Sequence, residues 1–307
     1  MAQEILPSAH LLEMFNPYMY DEARMLGVLE RTVSLGFYRG VELPVFFEAA
    51  NRAAVRATME ENHLFGTTYA GPYLGAEHLS LSDLDAAARG RAVALVASLA
   101  DLVAECGYTN LCVPSGPDPG PERRGPAKVA LAESMVALAD HMDPLGLRLT
   151  IEPLDRYVHK RQLIGPMEET VTWFAPVRER CANAYIHWDS AHEALGGIDL
   201  MRSLDLASPF LAQLHLCDAI LDPAHPCFGD LHMDCAVAPD WETEGFLTPE
   251  VGARILSRAA SFARPAGVSA VYASVEVHGH PGDYLWLIEE HAREFLRRCL
   301  DLSGAAA

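Results

Sequence analysis

The chain has 307 residues, half of them hydrophobic, and a formal net charge of −19 at pH 7. No unbroken apolar segment is long enough to span a bilayer, and the strong negative charge disfavours phosphate backbones, so we expect neither a membrane nor a nucleic acid as partner. The seven cysteines form no CxxC motif and the N-terminus lacks signal-peptide features, so reduced thiols and a cytoplasmic location are expected.

Short apolar runs rich in β-forming residues alternate with amphipathic helical patterns along the chain. Predicted strands cover 11–18, 38–45, 64–71, 109–115, 147–153, 183–189, 210–218 and 268–277. Predicted helices cover 21–35, 47–61, 82–106, 127–143, 167–180, 198–206, 248–265 and 281–301. Because such alternation is typical of parallel βαβ units, the sequence predicts an α/β fold, a single (β/α)8 TIM barrel domain over 1–307. A doubly wound sheet is the alternative, although no GxGxxG motif follows the first predicted strand.

Each of the last four predicted strands ends near a residue that can bind a metal ion. These residues are Glu152, Asp189, His215 and Glu276. Because the catalytic groups of barrels lie at the carboxyl ends of the strands, we expect the four side chains to meet at one mouth. Three carboxylates and one imidazole suit Mn²⁺, Mg²⁺, Co²⁺ or a zinc site without thiolates. For any single residue of the four, a solvent-facing strand end is the alternative interpretation.

Further residues near the predicted strand ends are candidates for contact with a substrate. The substrate-binding candidates are His192, His159, Glu42 and Trp188. Candidates for proton transfer at the mouth are His159, Lys160, His278 and His280, although for each residue alone a surface or loop position is the favoured interpretation. The segment GDLHMD offers Asp230 and His232, which we expect to shape a loop over a small-molecule pocket or to lie in a solvated loop.

Several segments together resemble the xylose isomerase-like TIM barrel superfamily of sugar isomerases and epimerases. They are TIEPLDR (150–156), HWDSAH (187–192), LAQLHLCD (211–218) and SVEV (274–277). The resemblance implies one bound divalent metal, for which Mn²⁺ is the expected ion. Ketose 3-epimerases of the group carry a second Glu where this chain has Val158, and an Arg where it has 220–222. The resemblance therefore implies the metal ligands of the group in this chain. It does not extend to the residues that bind a ketohexose in those epimerases.

We therefore predict an isomerase or epimerase that acts on an α-hydroxycarbonyl sugar or derivative. The prediction combines the expected metal site, the carboxylates at that site and the family resemblance. The metal would stabilise an enediolate while Glu152 and Glu276 move protons. A lyase using the same site, of the inosose dehydratase type or cleaving an oxidised C-glycoside, is the main alternative. A nuclease like endonuclease IV, with Asp230 and His232 as its Asp-x-His pair, is the weakest alternative because of the charge, and a non-catalytic sugar- or metal-binding barrel is a further one. The sequence leaves the exact substrate, the metal and the formation of a homo-oligomer open.

Overall fold

A closed barrel of parallel strands is the centre of this computed structural model, which describes residues 3–235 and 245–304. Its eight strands are β1 (Ile5–Ala9), β2 (Gly40–Glu42), β3 (Phe65–Tyr69), β4 (Asn110–Pro114), β5 (Arg148–Glu152), β6 (Ala184–Asp189), β7 (Leu211–Ile220) and, after a short β8 (Gly229–Met233), β9 (Val271–Glu276). Each barrel strand pairs in parallel with the next, and pairings of β7 with β9 and of β9 with β1 complete the closure. The predicted (β/α)8 TIM barrel is confirmed.

Helices surround the barrel and bury their apolar faces against it. They are α1 (Leu11–Met14), α2 (Glu22–Ser34), α3 (Ala49–Glu61), α4 (Gly71–Ala76), α5 (Ala86–Glu105), α6 (Pro121–Met142), α7 (Met167–Arg180), α8 (Ser190–Leu195), α9 (Leu200–Ala207), α10 (Pro249–Ala260) and α11 (Leu285–Ser303). Side chains of Asp21, Asp85, Asp199 and Thr248 accept hydrogen bonds from the first backbone N–H groups of α2, α5, α9 and α10. Within the described ranges, no helix is long and apolar enough to cross a membrane.

The prediction of a first strand over 11–18 is wrong. The strand is Ile5–Ala9, and the apolar run that follows it forms the single turn of α1 and a 3₁₀ turn, Asn16–Tyr18. Leu11, Leu12 and Met14 are buried at a spacing that fits a helix as well as a strand. The true strand contains Pro7, which disfavours a central strand in sequence-based reasoning.

The long loop predicted after the seventh strand contains an additional strand. β7 extends two residues past its predicted end, and β8 pairs with that extension in antiparallel fashion, Asp218 opposite Met233 and Ile220 opposite Gly229. This hairpin brings the segment 229–233 back over the mouth of the barrel. Residues 236–244 of the same predicted loop lie outside the described residues.

Side chains fill the barrel interior beneath the mouth. In the middle layer, the Gln213 side-chain oxygen accepts hydrogen bonds from Thr67 Oγ1 at 2.9 Å and from Asn110 Nδ2 at 3.2 Å. Below it, the rings of Phe65 and Tyr272 stack with centroids 3.9 Å apart. A filled interior leaves the carboxyl ends of the strands as the face where a ligand can enter.

Candidate metal centre

The four residues predicted as metal ligands lie together: Glu152, Asp189 and Glu276 are the last residues of β5, β6 and β9, and His215 lies midway along the longer β7. Glu152, Asp189, His215 and Glu276 each offer one ligand atom, and these atoms all lie within 4.8 Å of one another. His215 Nδ1 is 3.0 Å from Glu276 Oε2 and 3.5 Å from Glu152 Oε1. The strand register aligns the set, because Asp189 stands opposite His215 in the β6–β7 pair.

Asp189 shows that the group fits a cation. Its Oδ1 accepts the backbone N–H of His192 at 2.9 Å and thereby caps α8. Its Oδ2 is buried and has no hydrogen-bond partner among residues 3–235 and 245–304. A buried carboxylate oxygen without a partner is costly, and a divalent ion held by oxygen and imidazole donors would supply the missing interaction.

The far side of His215 is held by a buried glutamate. His215 Nε2 lies 2.9 Å from Glu42 Oε2 and 2.9 Å from the Tyr69 hydroxyl, which itself donates to the same carboxylate. Glu42 Oε1 also accepts hydrogen bonds from Ser8 Oγ at 3.3 Å and Ser274 Oγ at 2.5 Å. A carboxylate that accepts the Nε2 proton fixes the tautomer that leaves Nδ1 available to a metal.

Burial and charge shift the pKa values of this group strongly. Burial alone would raise the pKa of Glu276, but His232 and His215 hold that pKa well below its usual range. Burial alone would lower the pKa of His215, but the Glu276 carboxylate leads the charges that raise it well above the ordinary value. Burial, followed by the charges of Glu276 and Glu152, raises the pKa of Asp189 well above normal. The cluster therefore contains more buried carboxylates than positive groups, and a bound cation would reduce the repulsion between them.

Two histidines that the sequence reasoning missed belong to the same layer. His10 follows β1, and its Nε2 lies 3.4 Å from Glu276 Oε1. It escaped notice because the first strand was placed too late in the chain. His187 precedes Asp189 by two residues and therefore faces the same side of β6, a spacing that could have identified it. Burial lowers the pKa of His187 to about 3, and its ring meets that of His215 edge-on at 4.0 Å between centroids.

A cavity opens above the four predicted ligands. Glu152 and Glu276 line it, together with His192, and Leu12 and Val113 are among its apolar lining residues. His192 Nδ1 is buried and has no hydrogen-bond partner within the described part of the chain. Because this nitrogen lies 3.9 Å from carboxylate oxygens of both Asp155 and Asp230, contact of His192 with a substrate stays a prediction.

The other predicted substrate-binding residues lie elsewhere. His159 is exposed, and its Nδ1 hydrogen-bonds the backbone carbonyl of Asp230 on the hairpin. Glu42 is fully buried beneath His215. Trp188 is fully buried too, and its Nε1 donates to Ser203 Oγ at 2.8 Å. Neither Glu42 nor Trp188 is among the residues that line the cavity, so their contact with a substrate stays a prediction.

The hairpin places Asp230 and His232 beside the cavity. His232 lines it and lies, through Nδ1, 3.5 Å from both Glu276 Oε1 and Glu13 Oε2. Glu13, on α1, was also missed by the sequence reasoning; its carboxylate hydrogen-bonds His278 Nδ1. His280 is exposed, although it belongs to the same run after β9. The segment predicted as a loop over the pocket is therefore a strand, and its residues Asp230 and His232 form an ionisable pair beside the cavity.

Comparisons with known proteins agree with this architecture. A family model described as xylose isomerase-like TIM barrel matches residues 29–243, which is more than half of the chain. A search of curated protein sequences gave no match.

Solved structures with the same fold include several sugar epimerases. A D-allulose 3-epimerase from Methylomonas sp. is 16% identical with a TM-score of 0.69, over 98% of this chain and 100% of that one. The 3-keto-D-glucoside 4-epimerase YcjR from E. coli is 16% identical with a TM-score of 0.64, over 97% and 99%. The IOLI protein with a binding zinc atom is 13% identical with a TM-score of 0.66, over 98% of each chain. At these identities the likeness establishes the fold alone, whereas the match to the family model establishes that this chain belongs to the xylose isomerase-like TIM barrel family.

Proposed function

We propose that this protein is a divalent-metal-dependent isomerase or epimerase that acts on an α-hydroxycarbonyl sugar or sugar derivative. The observation that carries the proposal is the convergence of Glu152, Asp189, His215 and Glu276 from four strands, with ligand atoms within 4.8 Å of one another. The buried, unpaired Oδ2 of Asp189 supports it. The epimerases among the structural neighbours support a sugar as the small-molecule partner.

The exposure of the four side chains suggests how they divide the work. Glu152 and Glu276 line the cavity, whereas Asp189 and His215 are buried at its floor. Asp189 and His215 therefore act mainly as holders of the ion, for which Mn²⁺ is the expected choice. When bound, the ion would polarise the substrate carbonyl and stabilise the enediolate that follows proton removal.

Proton transfer falls to the two glutamates at the cavity. One carboxylate removes the proton next to the carbonyl, and the other returns a proton. Return to the same carbon from the opposite face gives an epimer, and return to the neighbouring carbon gives an isomer. His192, with its unpaired Nδ1, binds a substrate oxygen and fixes the face that is presented.

Hydrogen exchange in D₂O tests this function. With a panel of ketoses and oxo-sugars, we expect deuterium to enter next to the carbonyl, EDTA to stop exchange and Mn²⁺ to restore it. Glu276→Gln should lower the exchange rate by roughly 10²–10⁴-fold, as loss of a general base does. Glu48→Gln, at an exposed position before α3, is the matched control and should exchange as the unaltered protein does. Exchange that persists in EDTA, or none with any member of the panel, would contradict the proposal.

A lyase acting from the same site is the second candidate. The observation that favours it is the contact between Glu13 and His278 at the wall beside His232, since these residues could protonate a leaving group. Mass spectrometry of the products separates the two activities. A lyase releases water or an aglycone, whereas an isomerase or epimerase gives a product of unchanged mass.

A further inference from the structure

A second group of metal-ligating side chains lies beside the first, and a lysine occupies it. Cys217, Asp230 and His232 offer ligand atoms that all lie within 4.8 Å of one another. Lys160 Nζ lies 3.1 Å from Asp230 Oδ2 and 3.1 Å from His232 Nε2. An ion bound through Asp230 Oδ2 and His232 Nε2 would compete with the lysine nitrogen for the same two atoms.

The loop that carries Lys160 is fixed in place. The buried Asp155 accepts backbone N–H bonds from Val158 and His159 through Oδ1, and from Lys160 through Oδ2, each at 2.8 Å. Three such bonds from one carboxylate hold the loop in a single turn. Because these bonds already order the backbone of the loop, little further conformational entropy is lost when the Lys160 side chain contacts the hairpin.

The surroundings keep the lysine charged. Burial alone would lower the pKa of Lys160, but Asp230 and Glu276 raise it above its usual range. Its side chain is 30% exposed and lines the cavity that contains Glu152 and Glu276. The ammonium thus compensates acidic residues at the mouth, which a metal ion would otherwise have to do.

We propose that the Lys160 ammonium takes the place of a metal ion at the group formed by Cys217, Asp230 and His232. The inference rests on the proposed function only for the identity of the first site. Two-metal sites clamp the attacking and leaving oxygens of a displacement, and a lysine cannot generate a hydroxide as a second metal does. A lysine at this group therefore disfavours a hydrolase of phosphate esters that would use Asp230 and His232 for its second metal ion.

Metal uptake by lysine variants tests the inference. Each protein is dialysed against Zn²⁺, whose preferred ligands include thiolate and imidazole, and bound zinc is measured by elemental analysis. Lys160→Ala and Lys160→Ser should each bind one equivalent more than the unaltered chain. Lys160→Arg, which keeps the charge, should bind the same amount as the unaltered chain. Arg161→Ala, an exposed neighbour in the same loop, is the control for loss of a positive charge.

The measured quantity is the difference in zinc content between each variant and the unaltered chain. A failure of the lysine inference can therefore be told apart from a failure of the proposed function. If the unaltered chain binds no zinc, the proposed function fails, while an additional equivalent in Lys160→Ala still supports the lysine inference. Adventitious binding to the exposed Cys227 is common to all variants and cancels. Circular dichroism identifies folded variants, and the two small replacements provide independent measurements. Equal zinc content in the folded small variants and the unaltered chain would overturn the inference.

Discussion

At the residue scale, the orientation of His215 depends on a carboxylate that is fully buried behind its ring. Glu42 accepts from the Nε2 side and leaves Nδ1 facing Glu152 and Glu276. Loss of such an outer partner typically costs about 10–100-fold in metal affinity. We therefore expect Glu42→Gln to weaken Mn²⁺ binding by about tenfold in a calorimetric titration, with Glu48→Gln as the unaffected control. Unchanged affinity in Glu42→Gln would show that Glu42 does not orient the ligand.

A second buried glutamate makes stability depend on pH. Glu193, on α8, accepts a hydrogen bond from Ser203 Oγ at 2.6 Å, and burial raises its pKa to about 8 from 4.5. Because the folded pKa is raised, this contribution to stability is fully present below pH 4.5 and is lost as pH rises through about 8. The loss is on the order of 4 kcal/mol.

Replacement of that glutamate by its amide isolates the effect. Glu193→Gln has no proton to lose, so its free energy of unfolding should fall less between pH 5 and pH 9 than that of the unaltered chain. Urea titrations at pH 5, 7 and 9 measure both proteins. The same pH dependence in both would mean that Glu193 does not carry the raised pKa.

Residues at strand ends were predictable where the strand itself was predictable. Asp189, His215 and Glu276 each lie near the end of a predicted strand, and barrel geometry then predicts their convergence. His10 could not be placed this way, because its strand contains a proline and was assigned to the wrong segment. Glu13 could not be found either, since it lies in a one-turn helix and faces the site only after that turn folds against β9.

At the element scale, the contact between α1 and the end of β9 holds one wall of the cavity. The Gly279 N–H donates to the Glu13 carbonyl at 3.0 Å, and a Cβ at Gly279 would overlap the carbonyl oxygen of Met14. We expect Gly279→Ala to lower the free energy of unfolding by about 1–3 kcal/mol, as overpacking does. Gly90→Ala on α5, where a Cβ meets nothing within 4 Å, should instead raise it slightly. Equal stability of the two variants would contradict the close approach.

Helices were predicted more accurately than connections. The helix predicted over 167–180 coincides with α7, and seven of the eight barrel strands fall within their predicted ranges or extend them by at most two residues. The hairpin strand β8 was not predicted because its alternation is short and follows a loop that contains Pro223 and Pro226. Its pairing depends on the extension of β7, a tertiary contact that local sequence does not encode.

At the scale of the whole molecule, barrel closure determines the site. β6 and β7 are adjacent, β7 pairs with β9, and β5 pairs with β6, so the four proposed ligands lie on one continuous arc of strands. The opposite arc supplies Glu42 and Tyr69, which hold His215 from behind. A metal at this position would cross-link segments that are far apart in sequence, and it would stabilise the folded state by binding only there.

Anomalous diffraction from crystals grown with Mn²⁺ tests this central claim most directly. We expect one strong anomalous peak enclosed by Glu152, Asp189, His215 and Glu276, and none between Asp230 and His232, where Lys160 lies. The absence of a peak among those four side chains, or a peak only at the hairpin, would contradict it.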